Sequence, residues 1–187
     1  KTQVGFNYLC NPIMALAREM IAGGELGDIR SYRGVHAVDY MRDTSAPYSF
    51  RHDPAGGGAL ADIGSHALAT AEYLLGPITR VLGDCVTMIY HRKDATGSTR
   101  RIEVDDVGRA FLRFENGATG SIEANWVATG RKMQHDFEVY GSKGALIFTG
   151  ERFNELHFYN TDDATGRQGF RKIETSPDHP PYGQFCV

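Results

Sequence analysis

The second half of the chain is a succession of short apolar stretches separated by turn signals. Seven stretches rich in β-branched, aromatic and aliphatic residues predict strands, at 81–90, 107–114, 119–127, 137–140, 145–148, 156–158 and 170–173. The turn signals between them include Glu115-Asn116-Gly117 and Gly141-Ser142-Lys143-Gly144. Gaps this short favour hairpins over the long crossovers that parallel strands need. The chain is therefore expected to build a mostly antiparallel sheet.

Two helical patterns come before this run of strands. Asn11-Pro12 is a typical helix start, and apolar residues follow it at helical spacing up to Ile21. A second pattern covers 58–75 and stops at Gly76-Pro77. Two more strands are expected, at 3–8 and 28–38, with a polar loop over 39–57. These elements predict a single α+β domain over 1–187, an open, mostly antiparallel sheet with both helices packed on one face. The other face is left to solvent or to a second protein surface.

Composition excludes several classes of protein. The 187 residues carry 20 Lys and Arg against 23 Asp and Glu, a net charge of −3, which offers no positive surface to nucleic acid. No stretch approaches the roughly 18 consecutive apolar residues of a membrane span. Cys10, Cys85 and Cys186 form no disulfide or zinc pattern, so a reduced, cytoplasmic setting is expected. Because the chain starts without Met, inside an expected strand, it is interpreted as a fragment of a longer protein.

Glycine is abundant, with 22 residues, and 56–61 formally fits the G-x-G-x-x-A pattern. The dinucleotide-binding fingerprint needs a buried strand before it and an acidic residue about 20 positions later, inside a βαβ unit. Here the polar segment 49–54 precedes the glycines, and no second βα unit follows. No cofactor-binding residue is therefore expected in this chain. The glycines at 56–58 are interpreted as a flexible helix entry that lets backbone segments pack closely.

Asp62 and His66 are the leading candidates for chemistry. They lie four residues apart in the second predicted helix, so they share a face near its glycine-rich entry. A histidine can accept a proton near neutral pH, and a neighbouring carboxylate can fix its tautomer and stabilise the imidazolium. The alternative is an ordinary surface pair in a first helical turn. Four other residues are expected to reach the same cleft as substrate contacts: Asn7, Tyr8, Arg51 and His52.

A metal site is a weaker alternative. His36, Asp39, His52, Asp62 and His66 are residue types that suit zinc. They are spread over a strand, a loop and a helix without tight ligand spacing, so separate polar residues around a cleft are the favoured interpretation. A metal-dependent hydrolase using His36, His52 and His66 would contain bound zinc.

Three stretches in this order resemble the C-terminal domain of the glucose-fructose oxidoreductase, inositol dehydrogenase and rhizopine catabolism (Gfo/Idh/MocA) family. They are VGFNY at 4–8, followed by the helix start at Asn11-Pro12, GGGALADIGSH at 56–66, and EVYGSKGAL at 138–146. The resemblance implies the substrate-side domain of a two-domain NAD- or NADP-dependent oxidoreductase acting on sugars, inositols or related polyols. It also implies that His66 is the acid/base and that Asp62 orients it or binds a substrate hydroxyl.

The chain departs from the family pattern in two places. The family's catalytic lysine belongs to an E-K-P motif that is absent here, and Lys1 has neither flanking residue. Many relatives have arginine where this chain has Leu9, which puts one substrate contact in doubt. The resemblance places the nicotinamide in an N-terminal Rossmann domain that this sequence does not contain.

Two hypotheses follow from the residues and the resemblance together. In the first, this is the substrate-side domain of a dehydrogenase, inert by itself and completed by the missing half. In the second, it is a catalytically silent oligomerisation or small-molecule binding module. Both include a homo-oligomer formed through the open sheet face, around 107–114 and 119–127.

Overall fold

A computed structural model describes residues 2 and 4–180 of the chain. Two α-helices form where the sequence predicts them, α1 over Pro12–Ala22 and α2 over Ser65–Leu75. The side chain of Asn11 accepts a hydrogen bond from the Ile13 amide, and Pro12 occupies the first helical position. This start satisfies an amide that would otherwise have no partner in the helix. Helix α2 ends at Gly76, whose φ of 85° suits glycine.

The described residues contain ten strands. Their bounds are Ile29–Ala37 (β1), Ile78–Val86 (β2), His91–Lys93 (β3), Thr99–Arg101 (β4), Val107–Phe114 (β5), Thr119–Asn125 (β6), Gln134–Gly141 (β7), Gly144–Phe148 (β8), Glu155–Asn160 (β9) and Arg171–Glu174 (β10). Eight of them form one sheet in the order β10-β9-β8-β7-β1-β6-β5-β2, and β3 pairs with β4 in a separate hairpin. The pairing of β1 with β6 is parallel and the other pairings are antiparallel. The expected α+β class and mostly antiparallel sheet are therefore confirmed.

Two predicted strands differ from the structure. Residues 4–6 form no strand, and Asn7–Cys10 form a 3-10 turn instead. Strand β1 already has β6 and β7 on its two sides, which leaves no central position for a strand from this segment. The predicted strand 81–90 is interrupted after Val86, because the amides of Met88 and Ile89 donate to the Asp106 carboxylate rather than to a neighbouring strand. The expectations for Lys1 and Cys186 lie outside the described residues.

Two cores hold the molecule together. The larger core lies between the sheet and helices α1 and α2, and it includes Ile13, Ala71, Phe137 and Phe158. The smaller one, which we call the Trp126 core, consists of eight buried apolar residues beside the helix entry: Val38, Met41, Ala59, Ile63, Ile102, Val104, Ala124 and Trp126. It supports the loop that leads from β1 towards α2.

Candidate active site

The entry to α2 is held in a fixed position by the chain around Asp105. The Ala59 amide donates to the Asp105 carbonyl oxygen, and the Leu60 amide donates to the Asp105 carboxylate at 2.8 Å. Before them, Gly58 has a φ of 101°, a conformation that other residues rarely adopt. A residue 45 positions away therefore caps this helix, which explains how polar backbone groups are satisfied at a buried helix start.

The first turn after this entry is wider than the sequence predicts. Leu60–Gly64 form a π-helical turn, and regular α-helix begins only at Ser65. The prediction of one α-helix over 58–75 is therefore wrong in its first turn. A Cβ atom on Gly64 would lie 3.0 Å from the Ala124 Cβ on β6, so the absence of a side chain lets the turn lie close to the sheet. Asp62 lies inside the turn and His66 just after it.

Asp62 and His66 separate two small cavities. The first, of about 250 Å³, also has Tyr8, His36 and Tyr40 in its wall. The second, of about 260 Å³, lies towards Phe6, Phe50 and Gly57. Arg51 lines both cavities, as Asp62 and His66 do. The structure thus brings together four of the six predicted site residues: Tyr8, Arg51, Asp62 and His66.

The Asp62 carboxylate is held by two side chains of the preceding loop. One of its oxygens accepts a 2.5 Å hydrogen bond from the Tyr40 hydroxyl and a 2.9 Å bond from Nε of Arg51. Burial and the bond to Asp62 raise the pKa of Tyr40, which keeps the phenol protonated as a donor. His66 is not among the hydrogen-bond partners of Asp62 in the described residues. Asp62 therefore acts on His66 through its charge.

Around Tyr8 lies a group of three histidines, His36, His66 and His135, which we call the histidine cluster. The Tyr8 ring stacks on His135 with ring centroids 4.7 Å apart, and it meets His36 and His66 edge-on. Burial and the neighbouring histidines lower the pKa of His36 to about 4 and that of His135 to about 3. His36 and His135 are therefore neutral near pH 7.

His66 reaches the cavities through one ring nitrogen. Its Nδ1 is buried without a hydrogen-bond partner among the described residues, so Nε2 is the nitrogen that can meet a ligand. Burial lowers the pKa of His66, while the charge of Asp62 opposes this shift. A neutral imidazole with an accessible lone pair beside a carboxylate can accept a proton from a hydroxyl group.

The two remaining predicted contacts lie elsewhere. Asn7 is exposed in the 3-10 turn and lines neither cavity. His52 is 1% exposed, packs against Trp126 and Tyr48, and lines neither cavity. His52 is therefore also separated from His36 and His66, with which it was grouped in the metal hypothesis. Over residues 2 and 4–180, no three His, Cys, Asp or Glu side chains are arranged to hold a metal ion.

Three cavity residues were missed or misassigned from the sequence. Tyr40 is the third residue after the end of β1 at Ala37, and this position just beyond a strand end is the available signal. His36 was considered only as a metal ligand, although a histidine at a buried strand position was itself informative. Lys132 enters from a loop about 70 residues beyond Asp62, with Nζ 2.7 Å from the Asp39 carboxylate. Nothing in the local sequence around Lys132 indicates that its side chain lines the cavity.

Among the described residues, no helix combines the length and apolar character that a membrane span needs. Cys10 and Cys85 are exposed free thiols.

The chain is similar to several known proteins. The sequence-family model described as the GFO/IDH/MocA C-terminal domain matches residues 14–147. Levoglucosan dehydrogenase from Pseudarthrobacter phenanthrenivorans is 38% identical over 97% of this chain and 50% of that protein. A levoglucosan dehydrogenase structure in complex with NADH and levoglucosan superposes with a TM-score of 0.90 at 38% identity, covering 97% of this chain and 49% of the other. An NAD binding oxidoreductase from Klebsiella pneumoniae gives a TM-score of 0.93 at 35% identity, with the same coverage.

The matched family model describes a C-terminal domain. The chain belongs to the GFO/IDH/MocA family, which confirms the resemblance seen in its motifs. It spans about half the length of these relatives.

Proposed function

We propose that this chain is the substrate-side domain of an NAD- or NADP-dependent dehydrogenase of a sugar, an inositol or a related polyol. The observation that carries the proposal is the position of His66, whose free Nε2 lies in a small polar cavity beside the Asp62 carboxylate. The relatives support the substrate class, since one is named levoglucosan dehydrogenase and a structure of it holds NADH and levoglucosan.

In the proposed reaction, His66 acts as the general base. Its Nε2 takes the proton of a substrate hydroxyl as the carbon bearing that hydroxyl loses a hydride and becomes a carbonyl. Asp62 stabilises the imidazolium through its charge, and Tyr40 and Arg51 hold the carboxylate in place. NAD or NADP, when bound, supplies the hydride acceptor. Proton transfer to a positioned base of this kind contributes roughly 10²–10⁴-fold to a rate.

The second cavity is where this chain would meet the nicotinamide ring. Its wall contains the aromatic rings of Phe6 and Phe50 and the backbone of Gly57 next to His66, which can contact a flat ring. The remainder of the dinucleotide is assigned to the half of the protein outside this sequence. The 187-residue chain by itself is expected to be inactive and to bind neither NAD nor NADP, which calorimetry on the isolated chain would test.

The activity is tested on the full-length protein. Reduction of NAD and of NADP is followed by absorbance with levoglucosan and a panel of inositols and hexoses. We expect turnover with at least one polyol, and a loss of roughly 10²–10⁴-fold in kcat for His66→Ala. His157→Ala, on β9 outside both cavities, is the matched control and should keep the parent rate. Absence of turnover with either cofactor, or an unchanged rate in His66→Ala, would contradict the proposal.

We also propose that the open sheet face joins two copies of the chain. Leu82 and Phe111 are 72% and 70% exposed there, and they border a groove of about 600 Å³ together with Val35. Side chains of both charges flank the groove, such as the paired Arg109 and Glu123. This suits contact with an identical surface. Phe111→Glu is expected to turn an oligomer into a monomer in light scattering of the full-length protein. A monomeric parent would contradict this.

We propose that the protein is located in the cytoplasm. Two exposed thiols, Cys10 and Cys85, are more compatible with a reducing compartment than with an oxidising one. Fractionation of the producing cells would test it, and recovery outside the cytoplasm would overturn it.

A further inference from the structure

Arg92 is a buried arginine that lines neither of the two cavities beside His66, and the proposed reaction does not use it. It lies on β3, in the hairpin that is separate from the main sheet, and it is 2% exposed. Among the described residues it forms no ion pair, and its Nε is buried without a partner. A buried charge is costly unless other polar groups stabilise it. The guanidinium must therefore be stabilised by uncharged acceptors.

Backbone carbonyl oxygens of the loop after β1 are those acceptors. Nη1 of the guanidinium donates to Asp43 at 2.7 Å and to Ala46 at 3.0 Å, and Nη2 donates to Met41 at 2.5 Å. A planar guanidinium can serve several acceptors at once in a fixed geometry. The Met41 amide in turn donates to the carbonyl oxygen of Trp126. The residue that follows Tyr40 is thus held at both its amide and its carbonyl group.

The same part of the chain also holds the acceptor of the Tyr40 hydroxyl. Beyond the hairpin, the chain reaches Asp105, whose carboxylate accepts from an amide at the start of the π-helical turn at 2.8 Å. That turn carries Asp62, which accepts the hydrogen bond of Tyr40. The segment between β2 and β5 therefore holds both ends of this bond, with Arg92 on the loop of the donor and Asp105 on the turn of the acceptor.

The position of the Asp62 carboxylate matters because it acts on His66 through its charge, without a hydrogen bond. Such an interaction weakens as the distance between the groups grows and as water enters between them. Arg51 also holds the carboxylate, but from a partly exposed position, and its bond is longer than that of Tyr40. A displaced loop after β1 would remove the shorter of the two bonds and release the carboxylate.

We propose that Arg92 is a positioning residue that keeps the Tyr40 hydroxyl on Asp62 and thereby keeps the carboxylate in place beside His66. The inference deepens the proposed function and rests on it for the role of His66 as the base. It gives the β3–β4 hairpin, which contributes no residue to either cavity, a part in the chemistry of the site.

A double-mutant cycle in the full-length protein tests the coupling. Arg92→Met keeps an unbranched side chain but removes the donors, and it should lower kcat/KM for the polyol that the parent turns over by about tenfold, as should Tyr40→Phe. In the Tyr40→Phe background, Arg92→Met should cost less than about twofold, because the bond that Arg92 maintains is already absent. Arg92→Lys, with a single ammonium group for three carbonyls, should show a smaller loss of the same kind. Arg100→Met is the matched control on the exposed strand β4 of the same hairpin and should keep the parent value.

A spectroscopic measurement follows the same contact without turnover. In full-length protein labelled with fluorotyrosine, the fluorine resonance of Tyr40 is assigned by its loss in Tyr40→Phe. Asp62→Asn should shift this resonance, because the phenol then loses a charged acceptor. Arg92→Met should shift it in the same direction, and Arg100→Met should leave it in place.

The outcomes distinguish this inference from the proposed function. An unshifted Tyr40 resonance in Arg92→Met would overturn the inference, and so would an equal loss of kcat/KM in the parent and Tyr40→Phe backgrounds, which indicates general structural damage. Either result leaves the dehydrogenase standing. If Arg92→Met does not fold, Arg92→Lys takes its place in both measurements, and parent values there overturn the inference. If the protein turns over no polyol, the dehydrogenase fails, and the Tyr40 resonance alone decides for or against the role of Arg92.

Discussion

The histidine cluster and the surroundings of the Trp126 core each bury a histidine, His36 and His52, but the two histidines have opposite tautomers. In the cluster, Nδ1 of His36 donates to a carbonyl oxygen and Nε2 opens onto a cavity. In the Trp126 core, Nδ1 of His52 accepts from the Ser49 amide at 3.0 Å, and Nε2 is buried without a partner among the described residues. A buried histidine with a free nitrogen is therefore no sign of function. The sign is whether that nitrogen has access to a cavity.

The two regions also differ in how far hydrogen bonds from the protein occupy their carboxylate oxygens. In the Trp126 core, the Asp106 carboxylate is fully buried and accepts from the indole of Trp126 and from the amides of Met88 and Ile89. Near the cluster, Asp62 is partly exposed and its second oxygen is free of protein donors among the described residues. The Asp106 carboxylate is hydrogen-bonded within the protein, whereas the Asp62 carboxylate can still accept a hydrogen bond from a ligand.

The largest effect is expected from Asp106→Ala. The substitution removes three hydrogen bonds and leaves the buried indole N–H and two part-buried amides without this acceptor. A buried donor without a partner costs about 1–3 kcal/mol, and a part-buried donor costs less. We expect a loss of roughly 3 kcal/mol or more in the free energy of unfolding, measured by urea denaturation of the full-length protein. Asp84→Ala, on the exposed edge strand β2, is the control and should change stability by less than about 0.5 kcal/mol. Similar losses in both variants would show that the Asp106 network is not a distinct element.

A smaller effect, on activity rather than stability, is expected from Asp62→Asn. The negative charge of Asp62 raises the pKa of His66 against the effect of burial, so its removal should lower that pKa further. His66 must be neutral to accept a proton, so activity is present above its pKa and is lost as pH falls through it. The acid limb of kcat/KM should therefore move to lower pH. The weaker base should also reduce kcat/KM at pH 7 by roughly 10–100-fold.

The pH profile of full-length Asp62→Asn provides the measurement, with Asp53→Asn as the matched control. Asp53 lies in the loop that precedes the turn of Asp62, is exposed, and its side chain accepts a hydrogen bond from the Ala55 amide. That variant should keep the acid limb of the parent. An acid limb that moves to higher pH in Asp62→Asn would show that the carboxylate does not act on His66 through its charge.

The same contrast explains what the sequence could reveal. Asp62 and His66 are four residues apart, so their proximity follows from local helical spacing, and the turn and strand signals predicted most of the sheet. Tyr40 reaches Asp62 only because the loop after β1 folds back, and this loop is held by Arg92. The buried guanidinium of Arg92 donates to three backbone carbonyls, those of Met41, Asp43 and Ala46. Contacts between an arginine and carbonyls about 50 residues away have no sequence pattern.

The position of His52 could not be predicted from the sequence for a related reason. Arg51 and His52 both precede the glycines of the helix entry, so both are expected at the same cleft. The 3-10 turn over Phe50–His52 instead points Arg51 towards Asp62 and His52 towards Trp126. In a turn this tight, adjacent residues leave in different directions. Composition alone does not decide which of them faces the ligand.

The smallest effect is expected from His52→Phe, and it is the sharpest test of the comparison. The substitution removes the acceptor for the Ser49 amide, which costs about 1 kcal/mol, and it also removes a buried N–H without a partner, which recovers a similar amount. A phenyl ring retains the contacts with Tyr48 and Trp126. Stability should therefore change by less than about 1 kcal/mol, and kcat should stay within about twofold of the parent. His66→Phe should instead lower kcat by roughly 10²–10⁴-fold without a comparable change in melting temperature. Parallel kinetics and thermal unfolding of the two variants make the measurement. A drop in kcat for His52→Phe as large as that for His66→Phe would place His52 in the active site after all, because neither packing nor hydrogen bonding in the Trp126 core could account for it.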